Sequence, residues 1–75
     1  MRFMATRYLY SADGTGRAEF YVDGDAVYEV SSGKPRFYIQ DNVVFAYDGA
    51  KPAYWISDGH LFEYGSGQRR FYFSD

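Results

Sequence analysis

Val44-Phe45-Ala46-Tyr47-Asp48-Gly49-Ala50-Lys51-Pro52-Ala53-Tyr54-Trp55-Ile56 is the stretch that decides the fold. Two short apolar and aromatic runs are separated by Asp-Gly and Lys-Pro, the composition of two β-strands joined by a loop. The aromatic run at its end recurs along the chain. Phe20-Tyr21-Val22, Phe37-Tyr38-Ile39, Tyr54-Trp55-Ile56 and Phe71-Tyr72-Phe73 stand seventeen residues apart. A fixed period of this kind marks a repeat architecture. It divides the chain into four units, roughly 7–23, 24–40, 41–57 and 58–75, within a single domain. The fold can be argued from these units, whereas no residue pattern names an activity.

Each unit reads as one strand, a loop and a second strand. The first strands are Tyr8-Leu9-Tyr10, Val27-Tyr28-Glu29-Val30, Val44-Phe45-Ala46-Tyr47 and Leu61-Phe62-Glu63-Tyr64, and the aromatic triplets are the second strands. Gly24-Asp25, Asp41-Asn42 and Asp58-Gly59 separate the units as two-residue turns, because Gly, Asn and Asp accept positive φ most easily. Unit one has a loop about three residues longer than the others, from Ser11 to Glu19, and residues 1–6 are free to lengthen its first strand. No segment carries a helical apolar stripe. The expected fold is all-β, an antiparallel meander of about eight strands in four two-stranded repeats around a pseudo-four-fold axis.

With 75 residues and no cysteine, the domain has neither disulfides nor thiolate metal sites to hold it together. Its 23% aromatic content must supply the burial instead, each ring removing roughly 150–250 Å² from water. The formal charge of −2, without a run of either sign, makes nucleic acid and membrane surfaces unexpected partners. No stretch approaches the length of a signal peptide or a membrane span, so the expected location is cytoplasmic.

The two-residue turns fix which residues oppose one another, and opposed residues point to the same side. One face then collects Phe20, Val22, Val27, Phe37, Ile39, Val44, Tyr54, Ile56, Leu61, Phe71 and Phe73. The other collects Tyr8, Tyr10, Tyr21, Tyr28, Tyr38, Phe45, Tyr47, Trp55, Phe62, Tyr64 and Tyr72. Both faces are apolar, and two architectures can shelter both. Hairpins can pack side by side around a central axis, each presenting a face to either neighbour. Alternatively the strands close into a barrel with the aromatic face outside, covered by another subunit. Equal units with short connections favour the first.

The stretch from Val44 to Ile56, and Val27-Tyr28 through Gly33-Lys34-Pro35-Arg36-Phe37-Tyr38-Ile39, resemble the bacterial four-fold β-flower proteins. The shared pattern is an aliphatic-aromatic pair, then Asp-Gly, then Lys-Pro, then an aromatic-Ile pair. It covers units two and three well, unit four loosely and unit one poorly. The resemblance implies four β-hairpins around a pseudo-four-fold axis, in a family without an assigned activity, and it implies no site residues.

Candidate functional residues fall into three sets. Tyr21, Tyr38, Trp55 and Tyr72 align at the repeat period as an aromatic column, suited either to packing between hairpins or to stacking on a carbohydrate or other small ligand. Arg17, Lys34, Lys51 and Gln68 share the same spacing in the loops within units, while Asp23, Asp25, Asp41, Asp58 and Asp75 lie between units or at the terminus. Alternate turns of a meander emerge at opposite ends, so one end is expected to be basic and able to meet an anion or acidic partner. His60, the single histidine, and nearby Asp58 are the residues an enzyme would use, but neither a nucleophile motif nor a metal-ligand set accompanies them. The expectation is a non-catalytic domain without metal or cofactor, acting as a protein-interaction or self-associating module. A carbohydrate or small-ligand module is the alternative.

Overall fold

Asp41 and Asn42 both adopt positive φ, 54° and 63°, and Asp58 and Gly59 do the same at 53° and 76°. Positive φ at both central residues is the type I′ pattern, whose twist matches that of the strands it joins. The computed structural model describes residues 6–74. Residues 1–5 and Asp75, which bear on the first strand and the acidic end, lie outside the described residues. The strands are β1 (Arg7–Ser11), β2 (Ala18–Asp23), β3 (Ala26–Glu29), β4 (Pro35–Gln40), β5 (Val43–Ala46), β6 (Pro52–Ser57), β7 (His60–Glu63) and β8 (Arg69–Ser74). Each pairs antiparallel with its neighbours in sequence, and β8 pairs with β1 to close the sheet into a barrel.

The register across the short turns is the expected one. Val22 opposes Val27, Ile39 opposes Val44, and Ile56 opposes Leu61. The arrangement of the hairpins is not the favoured one. Strands pair between units as well as within them, so the second architecture is adopted, with one apolar face inside a barrel and the aromatic face outside. The physical reason lies in the backbone. Hairpins meeting only through side chains would leave unpaired N–H and C=O groups along every outer strand, and closure removes all such edges.

Leu9, Val27, Val44 and Leu61, one from each odd-numbered strand, are at most 2% exposed. Val22 joins them, and Ile39, Ile56, Phe73 and the rings of Phe20, Phe37, Tyr54 and Phe71 pack against this centre from the even-numbered strands. An eight-stranded barrel has an interior just wide enough for side chains to fill. The described inner side chains therefore form a packed core.

Four β-bulges assist closure. Leu9 opposes Phe20 but Tyr10 opposes Ala18, which leaves Glu19 unmatched. The same slip leaves Arg36, Ala53 and Arg70 unmatched on β4, β6 and β8. Bulges bend a strand and increase its twist, which a small barrel requires. The carbonyls of these four residues are then used to join consecutive units. Glu19 accepts from the Val30 N–H, Arg36 from Tyr47, Ala53 from Tyr64, and Arg70 from Ala12, at 2.9–3.1 Å.

The loop of unit one is one residue longer than its counterparts, not about three. It occupies 12–17, against 30–34, 47–51 and 64–68, because β1 continues to Ser11 and β2 begins at Ala18. In unit three the loop forces Ala50 to a φ of 54°, where units two and four have Gly33 and Gly67 at 74° and 73°. Ala50→Gly should therefore stabilise the protein by about 0.5–1 kcal/mol, read as a higher urea midpoint with an unchanged slope. Leu61→Ala should destabilise it by about 2–4 kcal/mol in the same measurement, since nothing else in so narrow a barrel can refill the space.

Candidate functional site

The outer wall carries the aromatic column, and the structure disperses it. Tyr21, Tyr38, Trp55 and Tyr72 lie on β2, β4, β6 and β8, and among the described residues no aromatic contact joins any two of them. Each instead stacks on the residue opposite it on the following strand. Tyr21 stacks on Tyr28 at 5.1 Å, Tyr38 on Phe45 at 5.2 Å and Trp55 on Phe62 at 5.4 Å. Tyr72 stacks on Tyr10 across the closing pair of strands at 5.7 Å. These are cross-strand pairs on a half-buried surface, each contributing about 0.5–1.5 kcal/mol beyond area burial.

Further rings lie against the stacks. Tyr47 meets Tyr38 edge-on at 6.1 Å, and Tyr64 meets Trp55 at 5.1 Å. Tyr47 is 56% exposed, Tyr64 44% and Tyr8 42%. Aromatic groups thus belt the barrel, with the most exposed ones standing above the stacks.

At the end where the loops within units emerge, the four-membered ring of Phe20, Phe37, Tyr54 and Phe71 closes the interior. Neighbouring centroids are 5.4–5.8 Å apart, with interplanar angles of 75–84°. Edge-to-face contact places the positive edge of each ring on the negative face of the next. Glu29 opposes Phe20 and Glu63 opposes Tyr54, so both carboxylates face the same mouth. The Arg36 guanidinium donates to Glu29 at 2.6 Å, and Arg70 lies 3.7 Å from Glu63. Ser32 and Ser66 hydroxyls also donate to Glu29 and Glu63, at 2.6 and 2.7 Å. A sequence signal for these pairs exists: Glu-x-x-Ser-Gly-x-x-Arg occurs at 29–36 and again at 63–70, in alternate units.

Arg17, Lys34, Lys51 and Gln68 do hold equivalent positions. Their carbonyls accept the bonds that close the four loops, from the N–H groups of Ser11, Glu29, Ala46 and Glu63 at 2.8–3.1 Å. All four side chains are exposed. The contrast in charge between the two ends is weaker than the loops alone suggest. Glu29 and Glu63 sit beside Arg36 and Arg70 at the mouth, while Arg7 belongs to the opposite end, its guanidinium 4.0 Å over the Phe73 ring.

His60 is half-buried on the outer wall. Its Nδ1 lies 3.0 Å from the Asp58 backbone carbonyl, so this nitrogen carries the proton and donates, and main chain rather than a carboxylate orients the ring. Among the described residues no three His, Asp or Glu side chains gather to hold a metal ion. Asp13 accepts from the Thr15 N–H at 3.0 Å within the loop of unit one, and this bond lowers its pKa.

With this geometry established, no family model, curated protein or solved structure matches the chain.

Burial of Tyr54, with the Glu63 charge adding to it and Arg70 opposing, raises its phenol above the ordinary 10.0. The fold favours the neutral phenol. That contribution is whole below the ordinary value and is lost as pH rises through the higher folded-state value. Tyr54→Phe keeps the ring and removes the ionisation. Between pH of about 9 and about 11, the urea midpoint of the variant should fall less steeply than that of the parent.

Proposed function

We propose that this chain is a non-catalytic β-barrel domain that acts by contact, burying its outer aromatic belt against a protein partner, with a second copy of itself as the first to be tested. The observation that carries this reading is the outer wall. Tyr8, Tyr47 and Tyr64 are 42–56% exposed above stacks that already satisfy the fold. Exposed aromatic surface of this kind is what protein interfaces bury at their centres. A closed barrel offers no free edge to a strand from another protein, which leaves side-chain faces as the means of association. Arg17, Lys34 and Lys51, projecting from one end, favour an acidic patch on the partner there.

The resemblance to the four-fold β-flower proteins, with a seventeen-residue period and near-equivalent units about the barrel axis, belongs to the same reading. So does action in the cytoplasm without nucleic acid or membrane as partner. Strands of four to six residues rise only about 13–20 Å, short of the roughly nine to eleven residues a membrane-spanning strand uses. A carbohydrate or small-ligand module is the second reading. It is favoured by Trp55, whose ring lies between Phe62 and Tyr64, although each outer stack would meet a ligand separately.

Sizing over a wide concentration range should give a mass that rises above 8.7 kDa. The double variant Trp55→Ala, Tyr64→Ser should return it toward the monomer. A constant monomer mass at every concentration would remove self-association from the proposal.

A further inference from the structure

The four outer stacks are built alike but are not covered alike. The residue whose N–H bonds to the carbonyl of each bulge residue is Val30 in unit two, Tyr47 in unit three and Tyr64 in unit four. Tyr47 covers Tyr38 and Tyr64 covers Trp55, each with a ring in edge contact. At the seam where β8 meets β1, the same bond to Arg70 is made by Ala12. A methyl group stands where two other units supply a phenol ring, so the stack of Tyr72 on Tyr10 lacks a phenol cover on that side, while the His60 ring lies tilted against Tyr72 from β7 at 6.4 Å.

An open recess of about 470 Å³ lies there, lined by Ala12, Gly14, His60, Gln68, Arg69 and Tyr72. Two more departures from the repeat converge on it. Arg69 stands where β2, β4 and β6 carry Ala18, Pro35 and Pro52 opposite their outer aromatic or tyrosine partners. It is in neither of the ion pairs found among the described residues. His60 stands where β3 and β5 carry Ala26 and Val43. Because its Nδ1–H is committed to the Asp58 carbonyl, neutral His60 keeps Nε2 as an acceptor.

We propose that this recess binds a small hydroxylated aromatic acid, whose ring takes the position that Tyr47 and Tyr64 occupy in their own units. The aromatic character is set by those sister positions, which show what packs on such a stack. The acid is set by Arg69, which binds a carboxylate through paired N–H donors. The hydroxyl is set by the acceptor on His60 and by the Gln68 amide. The inference stands on the phenol position left open at Ala12 and holds whether or not the barrel self-associates.

The test is titration of the 75-residue chain with 4-hydroxybenzoate, followed by amide NMR shifts and saturation transfer to the ligand. Binding should appear at a dissociation constant on the order of 1 mM, as befits an open site and a ligand of this size, with shifts centred on Ala12, Gly14, Arg69 and Tyr72. The neutral 4-hydroxybenzamide, and the acid with Arg69→Gln, should each bind about tenfold more weakly, the loss of one charge-assisted contact. Ala12→Tyr should abolish binding while the melting temperature holds, because the chain then fills the position itself. Should that variant fail to fold, the amide and Arg69→Gln carry the test. The proposal is overturned by absence of shifts well above that concentration, by equal binding of the amide, by unchanged binding to a folded Ala12→Tyr protein, or by tighter binding of glucuronate, which shares the charge but not the aromatic ring.

Discussion

The pairing of β1 with β8 is the interaction on which everything else in this molecule depends. Tyr8 to Ser11 align with Ser74 to Phe71, and this one ladder turns a strip of seven hairpin contacts into a sheet without edges. Until it forms, the inner aliphatic and aromatic side chains have no common interior, and two strands have unpaired backbone. Once it forms, Leu9, Val27, Val44 and Leu61 meet at the centre, and the rings of the even strands seal the mouth above them. A narrow barrel demands strong bending. The bulges at Glu19, Arg36, Ala53 and Arg70 supply it, and their carbonyls immediately tie each unit to the next. Curvature and inter-unit linkage thus come from the same residues.

Equivalent positions along the four hairpins build the scaffold, and the positions where they differ are the ones on which the binding proposal rests. Where the units agree, the side chains satisfy one another: stacks on the outer wall, a ring of edge-to-face contacts at the mouth, a hydrogen bond across each loop. Glu29 with Arg36 and Glu63 with Arg70 alternate with units that lack both, so even the polar decoration of the mouth serves the local loop through Ser32 and Ser66. Where unit one and unit four disagree with the others, a stack has a methyl group in place of a phenol cover, and Arg69, in neither ion pair among the described residues, lines the same recess as His60. Function in such a domain is most economically sought at the places the period fails.

The register and the division of side chains between two faces could be read directly from the chain. Two-residue turns at Gly24-Asp25, Asp41-Asn42 and Asp58-Gly59 leave no freedom in pairing, and a period of two does the rest. The bulges could not be read in this way, because Arg36 and Arg70 look like ordinary strand residues until the partner strand is in position. For the same reason the column of Tyr21, Tyr38, Trp55 and Tyr72 is regular in sequence yet is spread around a cylinder in space.

Sequence alone determined that this protein is all-β, that its strands run in a meander, and which residues share a face, because those properties depend on neighbours within about twenty positions. Only the tertiary structure decided that the sheet closes through its first and last strands, which of two apolar faces goes inside, and that Ala12, His60 and Arg69 come together. Those outcomes depend on contacts between residues 48 or more positions apart, whose meeting is governed by curvature and closure and leaves no mark in local composition.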